Sequence, residues 1–452
     1  MLVLCVSIIA CDSELRTDPD DPGNPLPADS GAIDTSDNLA LALGTTSVQL
    51  SEGGDRVSVP VSITRLNSSA ETVALSAFGQ SATDESQLSM QFSDASLDPS
   101  ETSSSLELSL AIGPRAINAQ TRTIVVTAES GATALSASFS ISVQPTNRPD
   151  VYLLIGQSNM IGFSEDNSKQ AGPGGLDEPN SRIRQLNVTG NDDENFQVAA
   201  DFTTPANLYN TGLPLTIAVD PLHDGFDVSI NGKGGQRIGP GLSFAKRALA
   251  DTTAEIYLVP GAWSDTGFCR RDTNRVPGIG WNATQQSSTA LSGTLLHDRA
   301  IARADITLEQ TGGILRGILW HQGEADSDDP ACAASYAENL AELADSLRTN
   351  IAEDARGATA RGPNADVPFI VGTMSMGNDG VSDQTPFSET KQLVDSAHRA
   401  IASSVPLSAV VNNDDLVPVA FPCGEGSCVH FGAAAYREMG SRYYDTLISL
   451  LP

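Results

Sequence analysis

The first regular pattern in the chain is an alternation of apolar and polar residues between positions 38 and 146. This period of two is typical of strands that bury one face and expose the other. About seven such runs occur, which is the number expected for an immunoglobulin-like β-sandwich. The runs are Leu39–Leu43, Val57–Ile63, Val73–Ala77, Leu88–Phe92, Leu106–Ile112, Ile124–Ala128 and Ala137–Val143. We therefore predict an all-β domain over residues 38–146.

The pattern changes at Thr146–Asp150, and from residue 150 to 452 short apolar runs alternate with helical segments. Such alternation predicts an α/β domain whose parallel strands are buried on both faces. The predicted strands are Val151–Ile155, Glu255–Val259, Leu315–Trp320, Val367–Gly372 and Ala409–Asn412. The predicted helices lie at about 239–249, 289–310, 333–352, 388–403 and 433–450. Residues 163–235 are rich in Gly, Asn and Asp, and we expect a long functional loop there.

The N-terminal residues 1–37 show neither the strand alternation nor the alternation of strands and helices. Residues 1–11 form an apolar segment that ends in Ile8-Ile9-Ala10-Cys11, which resembles a bacterial lipoprotein signal with Cys11 as the lipidated residue. The segment is short and has no basic residues before it, so we expect the natural start to lie upstream. Residues 12–37 are rich in Asp, Pro and Ser and predict a flexible linker. The protein is therefore expected outside the cytoplasm, in the cell envelope or secreted.

The charge of the chain narrows the class of partner. Its 452 residues include 56 acidic and 26 basic ones, which gives a formal net charge of −30. This balance argues against nucleic acid or an anionic membrane surface as a partner. A lipid anchor at Cys11 is then the one membrane attachment that we predict. No dinucleotide, phosphate-loop or zinc-ligand motif is present in the sequence, and we predict no cofactor and no metal.

Candidate catalytic residues follow the predicted strands. Ser158 follows the first strand within Gly156-Gln-Ser-Asn-Met160, and Ser264 follows the second. Gln322 and Glu324 follow the third strand, and His430 precedes the last helix. Because the carboxyl ends of parallel strands share one edge of the sheet, these residues should lie close together. A serine, a base, a carboxylate and polar donors are the groups that a serine esterase requires.

Three stretches carry a resemblance to a known family: Gly156-Gln-Ser-Asn-Met160, Trp320-His-Gln-Gly-Glu324 with Asp326, and His430 before the last helix. They resemble the SGNH (GDSL-type) hydrolase superfamily, and within it the sialate O-acetylesterase and acetylxylan esterase branch. The resemblance covers residues 150–452 and implies a three-layer α/β/α, flavodoxin-like domain that removes acetyl groups from sugars. It implies that Ser158 is the nucleophile and that its N–H binds the oxyanion. It also implies that Gln322 is a side-chain oxyanion donor and that His430 is the general base.

The sequence departs from the family pattern at two places. The family usually has an aspartate three residues before the histidine, where this chain has Ser427, which cannot carry a negative charge. We therefore assign Glu324 to orient His430; Glu425, Asp326 and a Ser–His dyad remain alternatives. The second departure is Ser264-Asp265, where related sequences usually have two glycines. The backbone N–H at Ser264 is retained, and we include Ser264 among the oxyanion-binding residues.

Four further cysteines, at positions 269, 332, 423 and 428, allow three pairings if the compartment is oxidising. We favour Cys423–Cys428, which closes a small loop, and Cys269–Cys332, which joins the loops after the second and third strands.

The leading function is an extracytoplasmic serine esterase that removes O-acetyl groups from carbohydrates. A lipase, thioesterase or arylesterase of the same superfamily is one alternative. The other is a non-catalytic surface binding protein with a decayed hydrolase domain.

Overall fold

The structure is a computed structural model of the chain. It describes residues 33–35, 38–51, 56–67, 71–80, 88–112, 120–145, 148–162, 169–188, 214–223, 237–269, 279–284, 292–351, 367–376, 387–416 and 429–450.

The N-terminal part consists of two five-stranded sheets. In the first sheet the order is β1 (Ile33–Thr35), β2 (Leu39–Leu43), β4 (Val57–Arg65), β8 (Ser103–Ile112) and β6 (Leu88–Phe92). In the second it is β3 (Ser47–Ser51), β10 (Thr133–Gln144), β9 (Gln120–Ser130), β5 (Val73–Gly79) and β7 (Ser96–Leu97). Side chains from both sheets form one hydrophobic core.

The burial of β4 shows why the alternating sequence forms this structure. Val59, Val61 and Ile63 are fully buried, whereas Pro60 and Ser62 between them are exposed. The predicted two-sheet β domain is confirmed in this respect, and its immunoglobulin type stays a prediction. The linker boundary was wrong by a few residues, because Ile33–Thr35 pairs antiparallel with β2. The alternating pattern also did not predict the short strands β3 and β7.

The C-terminal part contains a seven-stranded sheet. The order is β13 (Leu215–Ile217), β12 (Ile183–Leu186), β14 (Ile256–Pro260), β11 (Asp150–Gly156), β15 (Ile314–His321), β16 (Phe369–Gly372) and β17 (Ser408–Val411). All neighbours are parallel except β12 and β13, which pair antiparallel at the edge. The sheet is therefore mixed, and the prediction of a purely parallel sheet was wrong at this edge. The region 163–235 also contributes two strands, which corrects its description as a long loop.

Seven α-helices in the described ranges accompany this sheet. They are α1 (Ser158–Ile161), α2 (Pro240–Ala248), α3 (Leu295–Thr311), α4 (Pro330–Asn350), α5 (Glu389–Arg399), α6 (Ile401–Ser404) and α7 (Ala433–Ser449). A short 3-10 helix covers Asp326–Asp328. None of the described helices has both the length and the apolar character needed to cross a membrane.

The helices form one layer on each face of the sheet. The central strand β11 is buried along its whole length. Its residues Val151, Leu153 and Ile155 pack with α3, α4, α5 and α6, whereas Tyr152 and Leu154 pack with α1, α2 and α7. The predicted three-layer α/β/α arrangement is therefore present, and its central strands end at the edge that carries the candidate residues.

Candidate active site

The turn after β11 places Ser158 at the carboxyl edge of the sheet. Gly156 has φ +130°, and a Cβ on it would lie 2.1 Å from the carbonyl oxygen of His321. Only glycine fits this close approach between β11 and β15. The same carbonyl accepts a hydrogen bond from the Gln157 N–H at 2.9 Å. Ser158 then begins α1, where its own N–H has no acceptor within the helix.

The loop after β14 lies beside this turn. The Trp263 N–H donates to the carbonyl oxygen of Gly156 at 3.0 Å. Ser264, the next residue, is half-buried, and Asp265 has φ +56°. The structure thus brings the Ser264 segment next to the Ser158 turn, as the strand order requires. The role of the Ser264 N–H in binding an oxyanion stays a prediction.

Asn159 joins the three candidate stretches to one another. Its Nδ2 donates to Glu324 Oε1 at 2.7 Å and to the carbonyl oxygen of Val429 at 2.8 Å. Its Oδ1 accepts from the Tyr436 hydroxyl, on α7, at 2.8 Å. The residue after the candidate nucleophile therefore binds both the candidate carboxylate and the residue before the candidate base. The sequence analysis missed Asn159, although its position next to Ser158 was a signal.

Glu324 is held by the Asn159 network. Its Oε1 accepts from Asn159, and its buried Oε2 accepts no hydrogen bond from the described residues. Burial raises the pKa of Glu324, and its own backbone N–H, the nearby Lys391 ammonium and the Asn159 hydrogen bond oppose this shift. The link from Glu324 to the His430 segment runs through Asn159 and Val429. A direct contact with His430 stays a prediction.

His430 follows Val429 and lies three residues before α7. Burial lowers its pKa to about 4, and the positive charge of Arg237 contributes to the shift. The imidazole is therefore neutral above about pH 5, which is the state that a general base requires.

Gln322 is fully buried, and its side-chain amide is already hydrogen-bonded. Nε2 donates to the Thr266 carbonyl oxygen at 3.1 Å and to Asp326 Oδ2 at 2.8 Å. The Tyr336 hydroxyl lies 3.0 Å from Gln322 Oε1. A carboxamide has two N–H donors, so an oxyanion would have to replace one of these acceptors. The role of Gln322 as an oxyanion donor stays a prediction, and it requires that one of these hydrogen bonds is given up.

Asp326 was an alternative for orienting His430, and the structure assigns its carboxylate to another task. Its oxygens accept the backbone N–H groups of Phe268 and Cys269 at 3.0–3.1 Å as well as the Gln322 amide. It therefore holds the loop after β14 against the end of β15. The predicted Cys269–Cys332 disulfide is present beside it. Both sulfurs are oxidised, so Asp326 and this cysteine pair do not form a metal site.

The α/β part of the chain matches a known protein family. The family of carbohydrate esterases described as sialic acid-specific acetylesterases matches residues 148–449. The chain belongs to this carbohydrate esterase family. The match confirms the resemblance to the sialate O-acetylesterase branch that the three motifs indicated.

Individual relatives of this esterase are distant. A probable carbohydrate esterase of Arabidopsis thaliana is 30% identical over 117 residues, which are 25% of this chain and 37% of the plant protein. The aligned segment thus spans little more than a third of that relative.

Three solved structures are also similar. A protein from Arabidopsis thaliana has 19% identity and a TM-score of 0.43, over 68% of this chain and 100% of that one. A carbohydrate acetylesterase from Xanthomonas citri has 16% identity and a TM-score of 0.40, over 89% of this chain and 73% of that one. NanS has 15% identity and a TM-score of 0.42, over 67% of this chain and 96% of that one.

The remaining histidines of the carbohydrate esterase are bound elsewhere. His321 Nδ1 lies 3.1 Å from the Tyr443 hydroxyl, and His398 Nε2 lies 2.9 Å from the Tyr336 hydroxyl. His297 pairs with Asp298 and Ser346, and His223 accepts the Ala262 N–H. Burial lowers the pKa values of His223, His321 and His398 to about 3.

Several predictions for this esterase lie outside the described residues. They are the Cys423–Cys428 disulfide, the position of Glu425 and Ser427, and lipidation of Cys11.

Proposed function

We propose that the protein is a serine esterase that removes O-acetyl groups from a carbohydrate through an acetyl-enzyme on Ser158. Membership of the carbohydrate esterase family supports an acetylated carbohydrate as the substrate. The observation that carries the assignment of residues is the network around Asn159. It joins the Ser158 turn, the Glu324 carboxylate and the residue before His430 within three hydrogen bonds of 2.7–2.8 Å.

The proposed reaction has two half-reactions. Ser158 Oγ attacks the acetyl carbonyl carbon while His430 removes the hydroxyl proton. The electron pair of the C=O bond moves to the oxygen, where the Ser158 N–H stabilises the charge. When this tetrahedral intermediate collapses, the bond to the sugar oxygen breaks and His430 returns the proton to that oxygen. Water then repeats the sequence on the acetyl-enzyme, with His430 as its base, and releases acetate.

The electrostatics of the site suit this role of His430. Its pKa of about 4 keeps the free imidazole neutral at neutral pH. The imidazolium that forms in the transition state then needs a nearby negative charge. Glu324 is the carboxylate that the Asn159 network joins to the His430 segment, and we assign it to this task.

We further propose that the protein acts outside the cytoplasm as a lipoprotein anchored at Cys11. The segment Ile8-Ile9-Ala10-Cys11 supports this location, and the Cys269–Cys332 disulfide favours an oxidising compartment. Metabolic palmitate labelling should be lost in Cys11→Ala and retained in Cys5→Ala. Labelling that persists in Cys11→Ala overturns the anchor.

The decisive experiment measures acetate release from a panel of acetylated xylan, pectin, sialic acid and marine polysaccharides, with p-nitrophenyl acetate as a general ester. We expect release from at least one carbohydrate and none by Ser158→Ala. Activity on p-nitrophenyl acetate without any carbohydrate product would instead indicate a lipase, thioesterase or arylesterase. A folded protein that is inactive on every ester would indicate a binding protein with a decayed hydrolase domain.

A further inference from the structure

Every hydrogen-bonding group of the Asn159 side chain has a partner in the site. It is fully buried, and both Nδ2 protons and the Oδ1 atom are hydrogen-bonded. The Phe431 N–H lies 3.4 Å from the Tyr436 oxygen, which leaves the hydroxyl proton of Tyr436 for Asn159 Oδ1. Because Oδ1 faces this donor, Nδ2 must face Glu324 and Val429. Tyr436 therefore sets the orientation of the amide.

We propose that Asn159 is a positioning residue that fixes Glu324 and the main chain before His430 relative to Ser158. The proposal rests on the proposed function of this site. Asn159 directly follows Ser158 on α1, so the nucleophile and the amide move together. The two bonds from Nδ2 then hold the carboxylate and the base-bearing segment at set distances from Ser158.

The Asn159 amide helps to keep Glu324 charged. Asn159 Nδ2 donates to Oε1, and Oε2 accepts no hydrogen bond from the described residues. The backbone N–H of Glu324 and the Lys391 ammonium also favour the charged form. A buried carboxylate without donors tends to take up a proton, because burial disfavours the charged form. A neutral Glu324 would not stabilise the imidazolium of His430. The Asn159 amide thus acts on the reaction through Glu324 and through Val429, without touching the substrate.

The substitution Asn159→Asp keeps the shape of the side chain and removes both N–H donors. Its new carboxyl group would lie beside Glu324 Oε1, where two carboxylates cannot both ionise easily. At lower pH the introduced carboxyl group can keep its proton and donate it to Glu324, so one hydrogen bond survives and Glu324 stays charged. As the pH rises that proton is lost and the two carboxylates repel each other.

We expect kcat of Asn159→Asp to fall roughly 100-fold at pH 8, with KM changed less than about threefold. The loss should shrink at pH 5 to 6, where His430 is still largely unprotonated. Glu324→Gln removes the partner carboxylate, so Asn159→Asp should cost less in that background than in the unaltered protein.

A matched control separates this effect from the burial of a carboxylate as such. Asn413 is also fully buried and donates through Nδ2 to the carbonyl oxygen of Thr373 at 3.2 Å. Asn413→Asp should lower the thermal midpoint without the new pH dependence of kcat. An equal pH dependence in both variants overturns the proposal, because it would show general destabilisation.

Covalent labelling by a fluorophosphonate measures the reactivity of Ser158, and it does not require that the natural ester substrate is known. We expect slower labelling of Asn159→Asp at pH 8 than at pH 6, relative to the unaltered protein. Unchanged labelling and kcat overturn the role of Asn159. Labelling of Ser158 without acetate release from any carbohydrate overturns the substrate class and leaves Asn159 as a positioning residue. Failure of the unaltered protein to label at Ser158 overturns both.

Discussion

The β-sandwich and the α/β domain differ in where they bury polar groups. Among the described residues of the sandwich, Arg65, Arg122 and Ser130 are the only buried polar side chains. Arg65 donates to the carbonyl oxygens of Glu101 and Leu97 at 3.0–3.2 Å, so its guanidinium group satisfies backbone acceptors. The sandwich is thus stabilised mainly by apolar burial and backbone hydrogen bonds.

The α/β domain instead buries many titratable groups, and several of them lie at the carboxyl edge of the sheet. His321 Nε2, His398 Nδ1 and Glu324 Oε2 are buried without a hydrogen-bond partner among the described residues. Each such atom carries a desolvation penalty of about 1–3 kcal/mol. Unfavourable burial of polar atoms is therefore present beside the candidate active site. The described part of the sandwich has no buried side-chain atom of this kind.

The largest effect should come from the nucleophile and base. Ser158→Ala and His430→Ala should each lower kcat by roughly 10⁶-fold, since either loss disables the whole proton-transfer unit. Ser138→Ala, on the exposed face of β10, serves as the sandwich control and should leave kcat unchanged. Steady-state rates on the best acetylated substrate provide the measurement. Substantial turnover by either active-site variant would contradict the proposed mechanism.

Glu324→Gln should have the next largest effect. We expect kcat to fall by roughly two to four orders of magnitude, because the imidazolium of His430 loses its compensating charge. Glu425→Gln should cost much less. The reverse ranking would place the orienting carboxylate in the loop before His430. If neither change matters while Ser158→Ala is inactive, the enzyme works as a Ser–His dyad. Thermal unfolding of each variant checks that the fold is retained.

The period of apolar residues predicted the β domain and the main strands and helices of the α/β domain, because those elements bury continuous faces. It did not predict β12 and β13, which are only four and three residues long and lie at the sheet edge. The fate of side chains was harder to predict. Asp326 and Gln322 each follow β15 in a family motif, but their partners come from Thr266, Phe268 and Cys269. Such long-range partners are not encoded in local spacing.

The disulfide offers a test of stability confined to the α/β domain. Cys269–Cys332 closes a loop with a sequence separation of 63 residues. In the chain-entropy model this loop contributes about 4 kcal/mol to the free energy of unfolding. The double variant Cys269→Ser/Cys332→Ser should lose about that amount in denaturant titrations of this domain. A loss below about 1 kcal/mol would mean that the Asp326 hydrogen bonds to Phe268 and Cys269 hold the loop alone.

A core substitution in the sandwich should reduce stability without changing chemistry. Leu108 is fully buried on β8, and Leu108→Ala should destabilise the sandwich by about 3 kcal/mol through lost burial and the cavity left behind. We expect kcat on a soluble ester to stay unchanged below the unfolding transition. A fall in kcat in the folded variant would show that the sandwich influences the active site of the α/β domain.

The smallest expected effect concerns a buried carboxyl outside the catalytic network. Asp220 is 2% exposed, and burial followed by repulsion from Asp177 raises its pKa to about 7. The Gly239 N–H and the ammonium groups of Lys169 and Lys246 oppose this shift. Because the folded-state pKa lies above the unfolded value, the folded state binds more protons. The contribution to stability is present below about pH 4 and is lost as the pH rises through about 7.

Asp220→Asn mimics the protonated form at every pH, so it should raise the thermal midpoint by a few degrees at pH 8 and much less at pH 5. Asp98→Asn, at an exposed position of the sandwich, is the control and should change the midpoint little at either pH. Thermal scans of both variants and the unaltered protein at the two pH values provide the comparison. Equal gains at pH 5 and pH 8 would mean either that the amide improves packing or that Asp220 is already ionised at pH 5, and both results contradict a pKa of about 7 as the cause. A loss at pH 8 would show that the Asp220 charge is stabilised by Lys169 and Lys246 more strongly than burial destabilises it.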